Sequence, residues 1–122
     1  MKNIFVTSIT IAASLLSQCA FAGAKVTSPV QVSDYSMSGS LGTTRNSADG
    51  TQFLSCHSDG NVGFCQAKTK AGIYKTCTTN DPRLQSVILS INGDSYVSIK
   101  HNSGICTNIT LYHGSQYEPK MK

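Results

Sequence analysis

The side chains best suited to chemistry in this chain are its cysteines, of which there are five among 122 residues. One of them, Cys19, lies in an apolar N-terminal stretch, and the others are spread over the rest of the chain. Zinc and iron–sulfur sites use close pairs such as C-x-x-C, which this spacing does not contain. An even number of cysteines in a small exported chain instead indicates disulfides. We therefore predict two disulfides, no metal site and no cofactor, with the bridges drawn from Cys56, Cys65, Cys77 and Cys106.

A hairpin over residues 51–68, with Gly60 and Asn61 as its two-residue turn, places Cys56 opposite Cys65. Going back from such a turn, this pair is not hydrogen-bonded, so its Cα atoms lie about 4.5 Å apart. A disulfide tolerates that separation. A second hairpin through Lys70-Ala71-Gly72 suits a three-residue loop with a left-handed glycine, and it places Cys65 opposite Cys77. The pairing Cys56–Cys65 with Cys77–Cys106 is preferred, and the alternative is Cys56–Cys106 with Cys65–Cys77.

The remaining chemistry is sparse. Charged residues make up 13% of the chain, and no paired carboxylates, G-x-S-x-G, H-E-x-x-H or Cys-His nucleophile signature occurs. We predict that the chain is not an enzyme and has no catalytic residues. The net charge of +4 comes from scattered lysines and arginines, which do not form the basic stripe typical of nucleic-acid binding.

A candidate binding surface follows from the outward faces of the predicted strands. The first hairpin presents two phenylalanines beside a histidine and a lysine, and a later hairpin presents two tyrosines. Large exposed apolar patches are unusual on monomers, so a second layer covering the phenylalanines is the favoured interpretation. Arg45 is singled out in a polar segment, where it either pairs with Asp49 or holds an anion or a partner's carboxylate. The candidate surface comprises Arg45, Phe53, His57, Phe64, Lys68, Tyr96 and Tyr112.

One helix is predicted over Asp81–Asn92. Asp81 is a good N-cap, and Pro82 suits the first helical position because no hydrogen bond is lost there. Leu84, Val87, Ile88 and Ile91 form one apolar stripe at helical spacing, and Gly93 suits the helix end.

A third hairpin is predicted after this helix, over residues 95–101 and 105–112, around the loop Asn102-Ser103-Gly104. A three-residue loop pairs His101 with Ile105 and Val97 with Ile109. Ile105 then belongs to the core face, and Cys106 belongs to the opposite face. This register makes a bridge to Cys106 harder to build.

The first 22 residues have the features of a signal peptide. Lys2 precedes an apolar run, and Ala20-Phe21-Ala22 has small residues at the positions that a cleavage site requires. A lipoprotein signal at Cys19 is the alternative, which fits poorly because Gln18 stands where a small residue is expected. We predict a secreted or periplasmic protein cleaved near Ala22, without a membrane span. The organisation is 1–22 signal peptide, 23–50 N-terminal strand and loop segment, 51–113 disulfide-stabilised core, and 114–122 polar tail.

These elements predict an α+β fold, with an antiparallel sheet of about five strands and one helix packed on it. The order β-β-β-α-β-β is also that of an OB-type barrel. In layout, it resembles the disulfide-bonded B subunits of bacterial AB5 toxins.

The chain more closely resembles a family of small exported bacterial proteins of uncharacterised function, which implies a free-standing secreted domain. The motifs are R-N-S-A-D from Arg45, Q-F-L-x-C ending at Cys56, D-P-x-L from Asp81, I-N-G-D-S-Y from Ile91, G-x-C-T from Gly104 and Y-x-P-K from Tyr117.

Export, disulfides and polar-aromatic faces together favour a non-enzymatic binding module for an unknown protein or glycan. The alternative is a periplasmic inhibitor or immunity protein, which would need a rigid exposed loop such as residues 38–50. No nucleic-acid partner is expected, and oligomerisation is left open.

Overall fold

The computed structural model describes residues 23–117, which form a mostly β structure with two short helices. The predicted signal peptide, its alternative at Cys19 and residues 118–122 lie outside the described part of the chain. In chain order the elements are β1 (Gln31–Val32), β2 (Ser36–Ser40), α1 (Leu41–Arg45), β3 (Phe53–Ser58), β4 (Gly63–Lys68), β5 (Tyr74–Thr79), α2 (Pro82–Leu89), β6 (Ser95–Asn102) and β7 (Ile105–His113).

The prediction of a five-stranded antiparallel sheet with one helix is wrong, and so is its OB-like form. The sheet has seven strands in the order β1-β2-β6-β7-β5-β4-β3. Its pairs are antiparallel except β5 with β7, which run parallel and share one register pair, Thr78 with Ile105. Strand β2 has the sequence Ser-Met-Ser-Gly-Ser, which has weak strand propensity, and β1 is only two residues long. The parallel contact joins strands that are distant in sequence, so no local sequence pattern predicts it.

The first two hairpins have the predicted registers. Cys56 lies opposite Cys65, and Cys65 lies opposite Cys77 on the next strand. Gly60 and Gly72 have φ values of +95°, a backbone conformation that residues other than glycine rarely adopt. The turns therefore set the pairing of β3, β4 and β5 locally.

Helix α2 begins as predicted, with the Asp81 carboxylate accepting a hydrogen bond from the Arg83 N–H and Pro82 in the first turn. It ends at Leu89 rather than Asn92, because the Ser90 N–H turns back to the Val87 carbonyl at 2.9 Å and tightens the last turn. Leu84 and Ile88 are buried as the stripe predicted.

The register predicted for the third hairpin is wrong. Ser103 and Gly104 both have positive φ, so they form a two-residue turn, and Asn102 pairs with Ile105. The register shifts after His101 pairs with Cys106, because Thr107 is an extra residue on β7, a β-bulge. The expected three-residue loop failed because Ser103 adopts a left-handed conformation that is uncommon for serine.

The bulge exchanges the faces of the residues at the start of β7. Cys106 is 3% exposed on the core side, whereas Ile105, predicted to be in the core, is 54% exposed. Because side chains alternate along a strand, one additional residue moves each earlier residue of that strand to the opposite face of the sheet. The bulge thereby removes the obstacle to a bridge with Cys106.

The N-terminal segment, predicted as a strand and loop segment, supplies β1, β2 and α1, and both of its strands are part of the sheet. Met37 of β2 is fully buried, and the Ser40 hydroxyl caps α1. The sheet curls so that β1 and β2 contact β4 across the core. The buried apolar residues are Val30, Met37, Leu54, Cys65, Ala67, Cys77, Leu84, Ile88, Val97, Ile99, Cys106 and Ile109.

Candidate functional site

The four cysteines after Cys19 form the two bridges that the sequence favoured. Cys56 and Cys65 are joined within the first hairpin, with Cα atoms 4.1 Å apart. Cys77 and Cys106 are joined between β5 and β7, with Cα atoms 5.0 Å apart. Two disulfides indicate an oxidising environment outside the cytoplasm. Among residues 23–117, no helix has the length and apolar character needed to cross a membrane.

A cleft of about 430 Å³ lies between α1, the start of β3 and the segment Ile91–Gly93. A smaller cavity of about 190 Å³ continues it along β3 and shares Leu41, Leu54 and Ile91 with it. The floor is therefore apolar, and Arg45 lies among the lining residues. The larger cleft is lined by Leu41, Thr44, Arg45, Gln52, Phe53, Leu54, Ile91, Asn92 and Gly93.

Arg45 is exposed on the last turn of α1. The described residues form ion pairs between Lys75 and Asp34 and between Arg83 and Asp81, and none of these pairs includes Arg45. The predicted local pair with Asp49 is not formed. The guanidinium group therefore has no carboxylate partner within residues 23–117.

Asp49 is occupied by a different set of contacts. Its carboxylate accepts hydrogen bonds from the backbone N–H groups of Thr51 and Gln52 at 2.9 and 2.8 Å, and from the Gln52 side-chain amide at 2.7 Å. These donors, the Gln52 backbone N–H foremost, hold the pKa of Asp49 well below its usual range. The Gln52 side-chain carbonyl in turn accepts from the Val30 N–H at 3.0 Å, which ties β3 to the N-terminal segment.

The structure divides the predicted binding residues among three places. Arg45 and Phe53 line the cleft, although Phe53 also packs on Tyr74, with ring centroids 6.1 Å apart. On the outward face of the first hairpin, the half-buried Phe64 ring lies 5.2 Å from the exposed His57 ring, and Lys68 is half-buried.

The tyrosines lie on the outward face of β6 and β7. Tyr96 packs edge-on against Tyr112 at 5.4 Å and stacks on Tyr117 at 5.5 Å. The Val26 N–H donates to the Gln116 carbonyl at 2.8 Å, so the described part of the polar tail is paired with the N-terminal segment. The tyrosines therefore form a separate surface from the cleft.

Sequence reasoning missed most of the apolar cleft floor. Leu41 begins a helix of five residues, which is too short to show periodicity, and Gln52 precedes its strand. Ile91 was predicted on the helical stripe, but it follows the end of α2 and contributes to the cleft instead. The signal available in the sequence was Ser40 as an N-cap before Leu41.

The cleft contains the hydroxyl groups of Thr44 and Ser55, but its described lining contains no side chain typical of acid–base chemistry. Its described lining includes no histidine, carboxylate or free thiol. His101 is buried on the core face of β6, where its Nε2 atom has no hydrogen-bond partner among the described residues, and it does not line the cleft. The arrangement can hold an apolar group and an anion.

Comparison of the chain with protein-family models, curated proteins and solved structures finds no match. The resemblance to an exported bacterial family stays a prediction. A proposal about function therefore rests on the geometry of the chain itself.

Proposed function

We propose that this chain is an exported, non-enzymatic binding module that takes a protein partner in the cleft beside Arg45. The observation that carries the proposal is an apolar cleft bordered by an exposed arginine without a carboxylate partner in the described chain. An arginine in that position offers five N–H donors in a planar fork that matches a carboxylate. A partner that presents an apolar side chain beside an acidic one satisfies both features.

Export through the predicted signal peptide, with cleavage near Ala22, fits this role. The two disulfides require an oxidising compartment, and the signal features of residues 1–22 supply a route to one. The two features together support a secreted or periplasmic location. The partner is then a protein that meets the chain outside the cytoplasm.

The geometry gives less support to an inhibitor that inserts a rigid loop into an enzyme. The loop considered for that role covers residues 38–50, yet residues 38–45 belong to β2 and α1. Ser40, Thr43 and Thr44 are buried there. Little of that segment remains free to enter another protein's active site.

A glycan is the second candidate ligand, because the outward face of β6 and β7 combines rings with hydroxyl and amide groups. Tyr112 is 47% exposed beside Tyr96, and the neighbouring register row pairs Ser98 with Thr110. Aromatic faces and hydroxyl groups suit a sugar ring, which has both apolar and polar surfaces. A glycan array scored with wild type and with Tyr112→Ala tests this candidate separately.

The protein-binding proposal is tested by site-specific photo-crosslinking. The mature chain carries a benzoylphenylalanine in place of Phe53, which lines the cleft, or in place of Tyr112 on the tyrosine face. We expect one defined protein adduct from position 53 in an extract of the source's extracytoplasmic compartment, and none of the same mass from position 112.

The role of the arginine is tested in the same crosslinking experiment. Arg45→Glu should reduce the adduct at least about tenfold, equivalent to about 1.4 kcal/mol of binding. Lys100→Glu makes the same charge change at an exposed site of β6 that does not line the cleft, so it should leave the adduct unchanged. An adduct insensitive to Arg45→Glu, or no defined adduct at position 53, contradicts the proposal.

A further inference from the structure

Strand β3 ends the sheet, with β4 on one side and no strand on the other among the described residues. In the antiparallel β3–β4 pair, residues alternate between pairs that exchange hydrogen bonds and pairs that do not. The Asp59 N–H donates to the Val62 carbonyl, which fixes that alternation along the hairpin. The backbone N–H and C=O groups of Leu54, Cys56 and Ser58 therefore point toward the open edge.

The cleft runs along this same edge. Its larger part is lined by Gln52, Phe53 and Leu54, and its smaller part by Leu54, Ser55 and Cys56. Residues 52–56 span about 13 Å at the usual rise of a strand. Leu41 and Ile91 line both parts together with Leu54, so an apolar trough lies beside the edge of β3 that no described strand pairs.

The positive charge of Arg45 determines which charged group of a partner the cleft favours. Arg45 lies at the end of the cleft that contains Gln52 and Phe53, and no acidic side chain is among the described lining residues. The planar guanidinium group of an exposed arginine favours a carboxylate, and an opposite charge on the partner fixes its register. A lysine or arginine at that position of the partner would instead be repelled.

From these observations we propose that the protein partner binds by β-strand addition to the open edge of β3. An extended segment pairs its backbone with Leu54 and Cys56, places alternate apolar side chains in the trough, and presents a carboxylate to Arg45. Backbone pairing gives the affinity in this mode of recognition, and the pockets for alternate side chains give the specificity. The inference rests on the proposed binding function and specifies how the partner is held.

The test uses the mature chain with both disulfides and synthetic capped heptapeptides as probes. Each peptide alternates valine and threonine, and one glutamate replaces the valine at one end or at the other end of the valine face. Matched peptides carry lysine in place of that glutamate. Hydrogen exchange of backbone amides in the labelled protein reports binding at each residue. We expect the glutamate peptides to slow exchange at Leu54 and Cys56 at least about tenfold, as new hydrogen bonds protect those amides.

Backbone N-methylation provides the control for strand pairing. In an extended peptide, alternate residues direct their N–H groups to opposite edges, so methylating one alternate set removes the donors that face β3. Methylating the other set leaves those donors intact. We expect one set to abolish protection and the other to preserve it, and equal effects of both sets would overturn strand addition.

Charge exchange provides the control for Arg45. Arg45→Glu should weaken the glutamate peptides about tenfold or more and make the lysine peptides the tighter ligands, whereas Lys100→Glu should change neither. A loss of folding alone cannot reverse the preference between two peptides. Loss of both peptides, or no binding at millimolar concentration, would overturn the inference.

Three further outcomes distinguish a failure of strand addition, dimerisation through the edge, and a failure of the binding function itself. A defined adduct at position 53 without protection of Leu54 and Cys56 by any peptide leaves the binding function standing and overturns strand addition. Sedimentation of the free chain as a dimer, with those amides already protected, would overturn it in favour of a second copy at the edge. The absence of an adduct overturns the binding function itself.

Discussion

The sheet consists of two parts that are built differently. The three-strand part, β3, β4 and β5, is one continuous run of hairpins whose turns set its registers. The four-strand part, β1, β2, β6 and β7, combines the two ends of the chain. The parts meet in the sheet at one parallel register pair, Thr78 with Ile105, where the Thr78 N–H donates to the Gly104 carbonyl at 2.9 Å.

The difference shows where this small protein needs covalent support. Cys56–Cys65 lies inside the three-strand part, where the turn already holds the strands together. Cys77–Cys106 lies at the junction, where little backbone pairing exists. The second bridge also encloses α2 between its two cysteines. We therefore expect the junction to be the place where the fold is most easily broken.

The largest effect is expected from replacing Cys77 and Cys106 together by alanine. The closed loop is 29 residues for this bridge and 9 for Cys56–Cys65. Loop entropy alone then gives costs of about 3.6 and about 2.6 kcal/mol. Lost packing adds to both, since Cys77–Cys106 has two buried cysteines and Cys56–Cys65 has one, Cys65. Guanidinium unfolding followed by circular dichroism measures both. An equal or larger loss from Cys56→Ala with Cys65→Ala would contradict the comparison.

Met37→Ala tests whether the N-terminal segment is a structural part of the sheet. Met37 is fully buried between β1 and β6, and truncating such a side chain costs about 2–5 kcal/mol. Tyr35→Ala is the matched variant, because Tyr35 lies two residues earlier and is 66% exposed. Thermal unfolding should give a clearly lower melting temperature for Met37→Ala than for Tyr35→Ala. Similar melting temperatures would mean that the segment contributes little to stability.

Gly63→Ala tests the contact between the three-strand part and α2. A Cβ atom at Gly63 would lie 2.8 Å from the Ile88 Cδ1 atom and 3.0 Å from the Thr79 Cγ2 atom. Overpacking of this kind costs about 1–3 kcal/mol. Gly50→Ala is the control, since nothing lies within 4 Å of its Cβ position. A Gly63→Ala protein as stable as Gly50→Ala would show that the helix can shift at no cost.

Asp49→Asn tests the polar tie between the two parts and should have the smallest effect. The carboxylate accepts from three N–H groups through its two oxygens, and an asparagine would bring a second NH₂ donor toward the Gln52 amide. Because the folded pKa is lowered, the carboxylate stabilises the fold above its unfolded pKa of about 3.9, and that contribution is lost as the pH falls below this value.

The melting temperature of Asp49→Asn should therefore lie below that of wild type at neutral pH, and the gap should narrow in acid. Asp34→Asn serves as the control, because the Asp34 side chain is 84% exposed and its ion pair with Lys75 is 3.8 Å long. A gap that stays constant into acid would mean that the Asp49 carboxylate is not the stabilising group.

Sequence patterns predicted the three-strand part and the start of α2 because their signals are local. Turn glycines with positive φ, cross-strand cysteines and an N-cap followed by proline act within a few residues. The position of Cys106 could not be predicted, because the bulge at Thr107 depends on a turn that forces Ser103 into a left-handed conformation. The place of β2 in the sheet could not be predicted either, since its partner β6 lies more than 50 residues further along the chain.

The cleft could not be predicted from local sequence patterns either. Arg45 and Phe53 were predicted in one candidate binding surface, but without the apolar residues that form the cleft between them and with five residues that lie elsewhere. Only the curl of the sheet, which packs the N-terminal segment over the core, lets α1 approach the edge of β3. Leu41 and Ile91 become cleft residues for that reason alone.

The sequence by itself determined the hairpin registers around Cys56, Cys65 and Cys77, the start of α2, and the presence of two disulfides. Turn conformation and side-chain alternation are local properties, so a short stretch of residues is enough to specify them. Tertiary structure decided the seven-stranded order, the facing of Cys106 and the cleft beside Arg45. Each of these depends on contacts between segments far apart in the chain, whose closeness no local pattern encodes.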